Sequence, residues 1–172
     1  MLRLTRLFAH RWREATLPRN TVSGALLTRL ANQVGASEQE HSGEIRVAVE
    51  VGLPLSYLWR DASLAQIIRQ RAITQFGKLR VWDPAQNNGV LIYLLLAERR
   101  IEVLADRGLS ERVSNDVWQT MVARMGAAFS RDDFEPGLKL AIDEVSGLLT
   151  QHFPLGPGEA SPNELPDRPF LG

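Results

Sequence analysis

The residues best suited to chemistry in this sequence are carboxylates and amides placed beside short apolar runs. Those expected near the ends of strands or the start of a helix are Glu44, Asp83, Asn88, Asp106 and Asp116. Asn87 adds a second amide next to Asn88. Side-chain oxygens of this kind are the ligands that hard cations such as calcium and magnesium prefer. The sequence therefore predicts a calcium or magnesium site, and it indicates no organic cofactor.

Two other interpretations of these residues stay open. Asp83 and Asn87 are common turn formers, and a carboxylate at Asp116 in the first turn of a helix is favoured by the helix dipole. The cluster also holds enough carboxylates for acid-base chemistry, but the spacing assigns neither an acid nor a base.

Other catalytic arrangements find little support in the sequence. The absence of cysteine excludes disulfides, thiolate nucleophiles and cysteine-type zinc sites. There is no glycine loop for phosphate, no nucleophile elbow and no histidine pair of the metalloprotease type. His10, His41 and His152 stand in three separate segments, and we expect each of them to be a surface or loop residue.

A predicted hairpin and a parallel strand position the oxygen side chains. Residues 89–96 form an apolar run opened by Asn-Asn-Gly, and residues 101–106 form a second strand after a short polar turn. Such a hairpin brings Asp106 beside the Asn-Asn-Gly loop. Residues 44–51 alternate β-branched and polar side chains, which predicts a strand with one buried face, nearer the sheet edge. If it is parallel to the hairpin's first strand, Glu44 reaches the same end of the sheet.

Helices are predicted on both sides of this sheet. Apolar side chains recur at helical spacing in residues 21–36, 61–76, 114–129 and 134–149. Because the central strand has no polar face, helices must cover both of its faces. The strand, helix, strand order also favours parallel pairing of the two strands. The predicted fold class is α/β, with a small mixed sheet around a central hairpin.

Composition divides the chain into three parts. Residues 1–36 form a basic helical extension, residues 37–153 the α/β domain, and residues 154–172 a proline-rich tail that we expect to be disordered or loosely docked. The longest apolar run is about half of the roughly 20 residues that a membrane-spanning helix needs, and the N-terminus lacks a signal-peptide pattern. We therefore expect a cytoplasmic protein.

The first twenty residues could form a basic amphipathic helix. The charged side chains are Arg3, Arg6, Arg11, Arg13, Glu14 and Arg19. The large apolar side chains are Leu4, Leu7, Phe8 and Trp12. Such a helix can lie on an anionic membrane surface or a partner, or it can pack Phe8 and Trp12 on the domain. The whole chain balances twenty basic against twenty acidic residues, so its net charge does not favour nucleic acid.

Several of these segments together resemble the TPM domain family. They are Glu44 to Ala48, Arg71-Ala72, Phe76-Gly77, Asn87 to Ile92, Ile101 to Val103, Gly108-Leu109, Asp116, Phe134 and Gly137. The similarity covers residues 37–152. It implies a three-layer α/β/α sandwich around a small mixed sheet. The family includes photosystem-repair proteins of plants and cyanobacteria, receptor accessory proteins of animals, and membrane-tethered bacterial proteins.

The resemblance also implies calcium or magnesium binding, with acid phosphatase activity as an alternative. The chain looks like a short bacterial member without a signal sequence or transmembrane anchor, for which a LemA-type membrane protein is an expected partner. Arg107 stands where members often carry a small or aromatic residue. Its guanidinium would lower the affinity for a cation or, alternatively, orient a phosphate.

We therefore expect a non-enzymatic, cation-binding interaction domain, associated with a membrane-protein partner or with the inner membrane face through its basic N-terminus. In the phosphatase alternative, Asp106 or Asp116 would hold the metal and Arg107 the phosphate.

Overall fold

The computed structural model describes residues 2–17, 21–129 and 134–172 of the chain. The helices are α1 (Leu2–Thr16), α2 (Gly24–Ser37), α3 (Leu55–Leu58), α4 (Leu64–Lys78), α5 (Arg107–Ser110), α6 (Asn115–Phe129) and α7 (Phe134–His152). The strands are β1 (Glu44–Glu50), β2 (Gly89–Leu95), β3 (Arg100–Ala105) and β4 (Phe170–Leu171). A 3₁₀ turn, Leu96–Glu98, connects β2 to β3. Arg19 of the basic N-terminal segment lies outside the described residues.

The sheet is mixed and has the strand order β3-β2-β1-β4. β1 runs parallel to β2, with Glu44 opposite Gly89. β2 and β3 form an antiparallel hairpin, with Val90 opposite Ala105. Arg99 completes the turn in the left-handed region, with φ of 50°. The predicted hairpin and the predicted parallel crossover are both confirmed.

β1 lies inside the sheet, between β2 and β4, so its predicted position nearer the edge is wrong. All seven of its residues are buried. The buried polar side chains are Glu44, Arg46 and Glu50. Alternation in the sequence correctly identified one apolar face. The polar face is buried as well, because other parts of the chain provide hydrogen-bond partners for its charged groups.

Two apolar layers enclose the sheet. On one face, Val47 and Ile92 belong to a core shared with α2, α6 and α7. On the other face, Leu91 and Tyr93 belong to a core shared with α3, α4 and Leu165 of the C-terminal tail. Helices on both sides of one sheet make the α/β/α sandwich that the resemblance implied.

Two helices differ from the predictions, one in where it begins and the other in where it packs. α4 has its N-cap at Ser63, which forms a capping box with Gln66, two residues later than the predicted start at residue 61. α2, which the boundary predicted at residue 37 placed outside the domain, contributes Leu30 and Val34 to the core. Among the described residues, no helix combines the length and apolarity needed to span a bilayer.

The tail of residues 154–172 is folded onto the domain, so the predicted disorder is wrong. β4 pairs in parallel with β1 through Ala48 and Val49. Leu165 is buried, and the Arg46 guanidinium donates to the carbonyls of Pro166 and Arg168. A proline-rich composition shows that a segment cannot build a core of its own. It does not show whether a neighbouring sheet offers partners for the backbone, as this one does.

Candidate functional site

The predicted ligands were expected at the end of the sheet where β1 and β2 begin, and Glu44 is the first residue of β1 there. The Glu44 side chain is fully buried. Its two carboxylate oxygens accept the backbone N–H groups of Glu164 and Leu165, each at 2.9 Å. Burial raises the pKa of this carboxyl, while the two hydrogen bonds act in the opposite direction. Glu44 is therefore already engaged in holding the C-terminal tail.

Asp83 and Asp116 behave as the turn and helix-dipole interpretations describe. Asp83 follows α4 and forms an ion pair with Arg80 at 2.8 Å, with its side chain 43% exposed. Asp116 is an exposed residue in the first turn of α6. Within the described residues, no group of three or more His, Asp or Glu side chains is arranged to hold a metal ion.

Asn88 and Asp106 are brought together by the backbone of the hairpin. The Asp106 N–H donates to the carbonyl of Gly89 at 2.8 Å. Asn88 is 1% exposed, and its Nδ2 donates to the carbonyl of Ser42 at 3.1 Å. Asp106 caps α5, where its Oδ1 accepts the N–H of Arg107 at 2.8 Å. Each side chain keeps one buried oxygen, Asn88 Oδ1 and Asp106 Oδ2, without a partner in the described part of the chain.

Backbone carbonyls from the loop before β2 lie against the first turn of α5. The Gly108 N–H donates to the carbonyl of Asn87 at 2.9 Å. A Cβ at Gly108 would lie 2.5 Å from that oxygen and 2.7 Å from the carbonyl oxygen of Gln86. The Arg107 side chain turns to the same loop and donates through Nε and Nη2 to Asn87 Oδ1, at 3.1 and 3.0 Å. The guanidinium is thus held by an amide oxygen.

The opposite end of the sheet is closed by α1, and His10 is the residue that fixes this helix. His10 is fully buried within α1, so the prediction of a surface or loop position is wrong for it. His41 is buried too, but it lies in the loop between α2 and β1, as predicted. The Nε2 atom of His10 accepts the N–H of Leu53 at 2.8 Å, which leaves Nδ1 to donate to Glu98 at 2.7 Å. Arg13 binds the second oxygen of Glu98 at 2.5 Å.

The side of α1 that faces the domain is mainly polar. Arg6 donates to the carbonyls of Leu58, Arg60 and Ala62, all in or just after α3. The large apolar side chains point the other way: Leu4 is 52% exposed, Phe8 73% and Trp12 69%. The interpretation in which Phe8 and Trp12 pack on the domain is therefore wrong. Only Leu7 of the four predicted apolar side chains turns inward to the core.

The groove along the edge strand shows little sign of a catalytic site. It has a volume of about 890 Å³ and lies between α4, β3 and α6. The charged side chains in its wall, Arg69 and Glu102, pair with each other at 3.1 Å. Arg69 also donates to the carbonyl of Val103 at 3.3 Å. The remaining wall consists of apolar, amide and hydroxyl side chains. The wall itself therefore contributes no histidine, and no carboxylate apart from the paired Glu102, to activate a hydroxyl.

The family model of the TPM domain matches residues 17–148 of the chain. The chain belongs to the TPM domain family. The matched region starts immediately after α1 and ends inside α7. Helix α1 and the C-terminal tail therefore lie outside the part that this chain shares with the family model.

Two solved structures resemble the TPM domain described here. The NMR structure of the BA42 protein from the psychrophilic bacterium Bizionia argentinensis has a TM-score of 0.71 and 25% sequence identity, covering 87% of this chain and 94% of that one. The N-terminal domain of a protein from P. gingivalis has a TM-score of 0.53 and 20% identity, covering 78% and 82%. No curated protein matches the sequence. The fold of the TPM domain is thus confirmed by both sequence and structure.

The polar face of β1 in this TPM domain also carries a closed network that the sequence analysis missed. Glu50 accepts hydrogen bonds from Arg71 Nε at 2.8 Å, Gln75 at 2.5 Å and the Tyr93 hydroxyl at 2.7 Å. Burial raises the pKa of Glu50, but the hydrogen bonds from Arg71 and Tyr93 outweigh it and the net shift is downward. Burial and the charge of Glu50 raise the pKa of Tyr93. A tyrosine inside an apolar run was the available signal, since a buried hydroxyl needs a partner.

Proposed function

We propose that this TPM domain is a non-enzymatic interaction domain that binds calcium or magnesium where the hairpin meets α5. The observation that supports this most directly is the pair of buried, unpartnered oxygens, Asn88 Oδ1 and Asp106 Oδ2. Buried polar atoms without partners are uncommon and often mark the position of an ion or a water. One carboxylate and one amide oxygen are ligands that a hard cation accepts.

This proposal keeps two of the five predicted ligands and adds backbone oxygens. The additional oxygen ligands that we propose are the carbonyls of Gln86 and Asn87, which lie against Gly108. Calcium takes six to eight oxygen ligands, so water must complete the shell. A site with a single carboxylate binds weakly, and we expect a dissociation constant of about 10⁻⁴ to 10⁻³ M.

The phosphatase alternative has less support from the geometry. Its phosphate-holding group, Arg107, donates two hydrogen bonds to Asn87 Oδ1. Its second proposed carboxylate, Asp116, lies exposed on α6. A metal-assisted hydrolysis needs the metal, the activated water and the phosphate-binding cation to converge on one place. In the described residues only Asp106 and Arg107 of this set are neighbours.

The experiment that tests cation binding is an NMR titration of chelator-stripped protein with calcium and then with magnesium. We expect backbone amide shifts at residues 86–89 and 106–108. The variant Asp106→Asn retains an N-cap side chain for α5 but removes the charge, so it should weaken binding at least about tenfold. The matched control is Asp83→Asn, which removes an exposed carboxylate paired with Arg80.

Two outcomes would contradict the proposal. Shifts that are equal in the wild type and in Asp106→Asn would place the cation elsewhere. An absence of shifts at millimolar calcium would remove the cation from the function altogether. Hydrolysis of a phosphate ester that is lost in Asp106→Asn and retained in Asp83→Asn would instead favour the phosphatase alternative.

A further inference from the structure

Helix α1 is attached to the domain by its polar side, the reverse of an ordinary surface helix. His10 and Arg13 bind Glu98, and Arg6 binds three backbone carbonyls near α3. An amphipathic helix on a globular protein normally turns its apolar stripe inward. Here the ion pairs and hydrogen bonds hold the helix flat against the domain while its apolar stripe faces outward.

The outward stripe of α1 consists of Leu4, Phe8 and Trp12. These residues are four positions apart, so their side chains lie in a row along one side of the helix. All three are more than half exposed. The neighbouring α3 and the residue that follows it also present large exposed side chains, Leu55 and Trp59. Several large apolar side chains exposed on neighbouring elements are typical of an interaction site.

The charge of α1 is positive although the chain as a whole is neutral. The helix contains four arginines and one glutamate, Glu14. Glu14 forms an ion pair with Arg11 at 2.5 Å, and its carboxylate lies over Gly52, where a Cβ would be 2.6 Å from it. The one acid of α1 is therefore turned toward the domain, while the Arg11 side chain at the border of the stripe is 55% exposed.

We propose that α1 docks the domain onto an anionic lipid surface, with Leu4, Phe8 and Trp12 inserted into the interface. Leu4 and Phe8 line neither of the two grooves that border α1, and Trp12 borders one of them, so the open part of the stripe suits a planar, deformable surface. Trp is enriched at membrane–water interfaces, and helices that lie in the interface carry Trp, Phe and Leu on their apolar face. Basic side chains around the stripe complement anionic headgroups. α1 precedes the region matched by the family model, so this property goes beyond the proposed cation site.

The test is co-sedimentation of the full-length protein with vesicles, in chelator and at low salt. One set contains phosphatidylcholine with phosphatidylglycerol, and the other contains phosphatidylcholine alone. We expect binding to the anionic set, with a blue shift of tryptophan fluorescence. The double variant Phe8→Ser, Trp12→Ser should lower the partition coefficient about 100-fold, because burial of each aromatic side chain contributes at least about a tenfold step.

A matched control uses another exposed tryptophan. Trp82 follows α4 and is 50% exposed, so Trp82→Ser should bind vesicles as the wild type does. Thermal unfolding of both variants confirms that the fold is kept. Equal binding by wild type and double variant would overturn the proposal, as would equal binding to both sets of vesicles. It would also be overturned if the wild type ignored vesicles and self-associated through the stripe, with the double variant monomeric.

Discussion

Glu38 is the residue whose removal should change the pH dependence of stability most clearly. It follows α2, is 2% exposed, and accepts the N–H of Ile45 through Oε1 at 2.8 Å. Its Oε2 is buried without a partner among the described residues. Burial is the main cause that raises the pKa of Glu38 from 4.5 to about 8; the hydrogen bond from Ile45 lowers it, and the charges of Glu44 and Asp167 raise it further.

The direction of the effect follows from proton linkage. The folded state holds a proton on Glu38 up to about pH 8, whereas the unfolded state releases it near pH 4.5. Folding stability from this group is therefore fully present below about pH 4.5 and is lost as the pH rises to about 8. The difference between the two pKa values corresponds to a change of about 5 kcal/mol in the free energy of unfolding. Relaxation and water entry reduce that figure, so we expect a loss of about 2–4 kcal/mol.

The variant Glu38→Gln removes the titration and keeps an acceptor for the Ile45 N–H. Its free energy of unfolding should match the wild type near pH 4.5 and exceed it by about 2–4 kcal/mol near pH 8.5. Urea denaturation of both proteins at the two pH values measures this difference. Glu40→Gln, at an exposed neighbour, is the control and should show no such change. The reasoning would be refuted if the gain from Glu38→Gln were the same at both pH values.

Three further substitutions test other buried contacts. His10→Ala leaves the N–H of Leu53 without its acceptor and should lower the free energy of unfolding by about 1–3 kcal/mol, measured by urea denaturation. A change below about 0.5 kcal/mol, typical of a surface site, would contradict the anchoring role. Glu44→Ala should speed hydrogen exchange of tail amides near residues 164 and 165, and unchanged exchange would mean that other contacts hold the tail. Tyr93→Phe removes one donor to Glu50 and should cost about 1–2 kcal/mol in thermal or urea unfolding, while a stabilised variant would show that the hydroxyl is not satisfied.

The fold was predictable because its main strands obey local rules. Residues 89–96 have no polar side chain apart from Tyr93, so this strand must be covered on both faces. The turn after them is short enough to impose a hairpin. The parallel pairing of β1 with β2 followed from the intervening helix. These inferences use periodicity and connection length, which tertiary contacts seldom reverse when the pattern is strong.

The positions that sequence reasoning misjudged depend on contacts between distant segments. The proline and glycine content of the tail suggested disorder. Composition alone does not show that Glu44 and Arg46 offer hydrogen-bond partners to the tail backbone. β1 looked like an edge strand because its polar alternation normally faces water. His10 looked exposed because its two partners, Leu53 and Glu98, are more than forty positions away.

The sequence predicted the location of the candidate site more accurately than it predicted which side chains are available there as ligands. The hairpin geometry correctly brought Asp106 next to the loop before β2. Whether a carboxylate is available to a cation depends on what else it binds, and Glu44 and Asp83 bind a backbone segment and an arginine. That competition is decided by packing, which local sequence patterns do not encode.

The two proposed surfaces lie at opposite ends of the same strands, which sets an expectation about their coupling. The cation would bind where β1 and β2 begin, and α1 is anchored where they end, at Leu53 and Glu98. Seven residues of strand span about 20 Å, about two Debye lengths at 0.1 M salt. The field of a bound cation should therefore be largely screened at α1. Vesicle binding should be the same in Asp106→Asn and in the wild type, with or without calcium, and a calcium-dependent change would instead indicate a conformational link through β1.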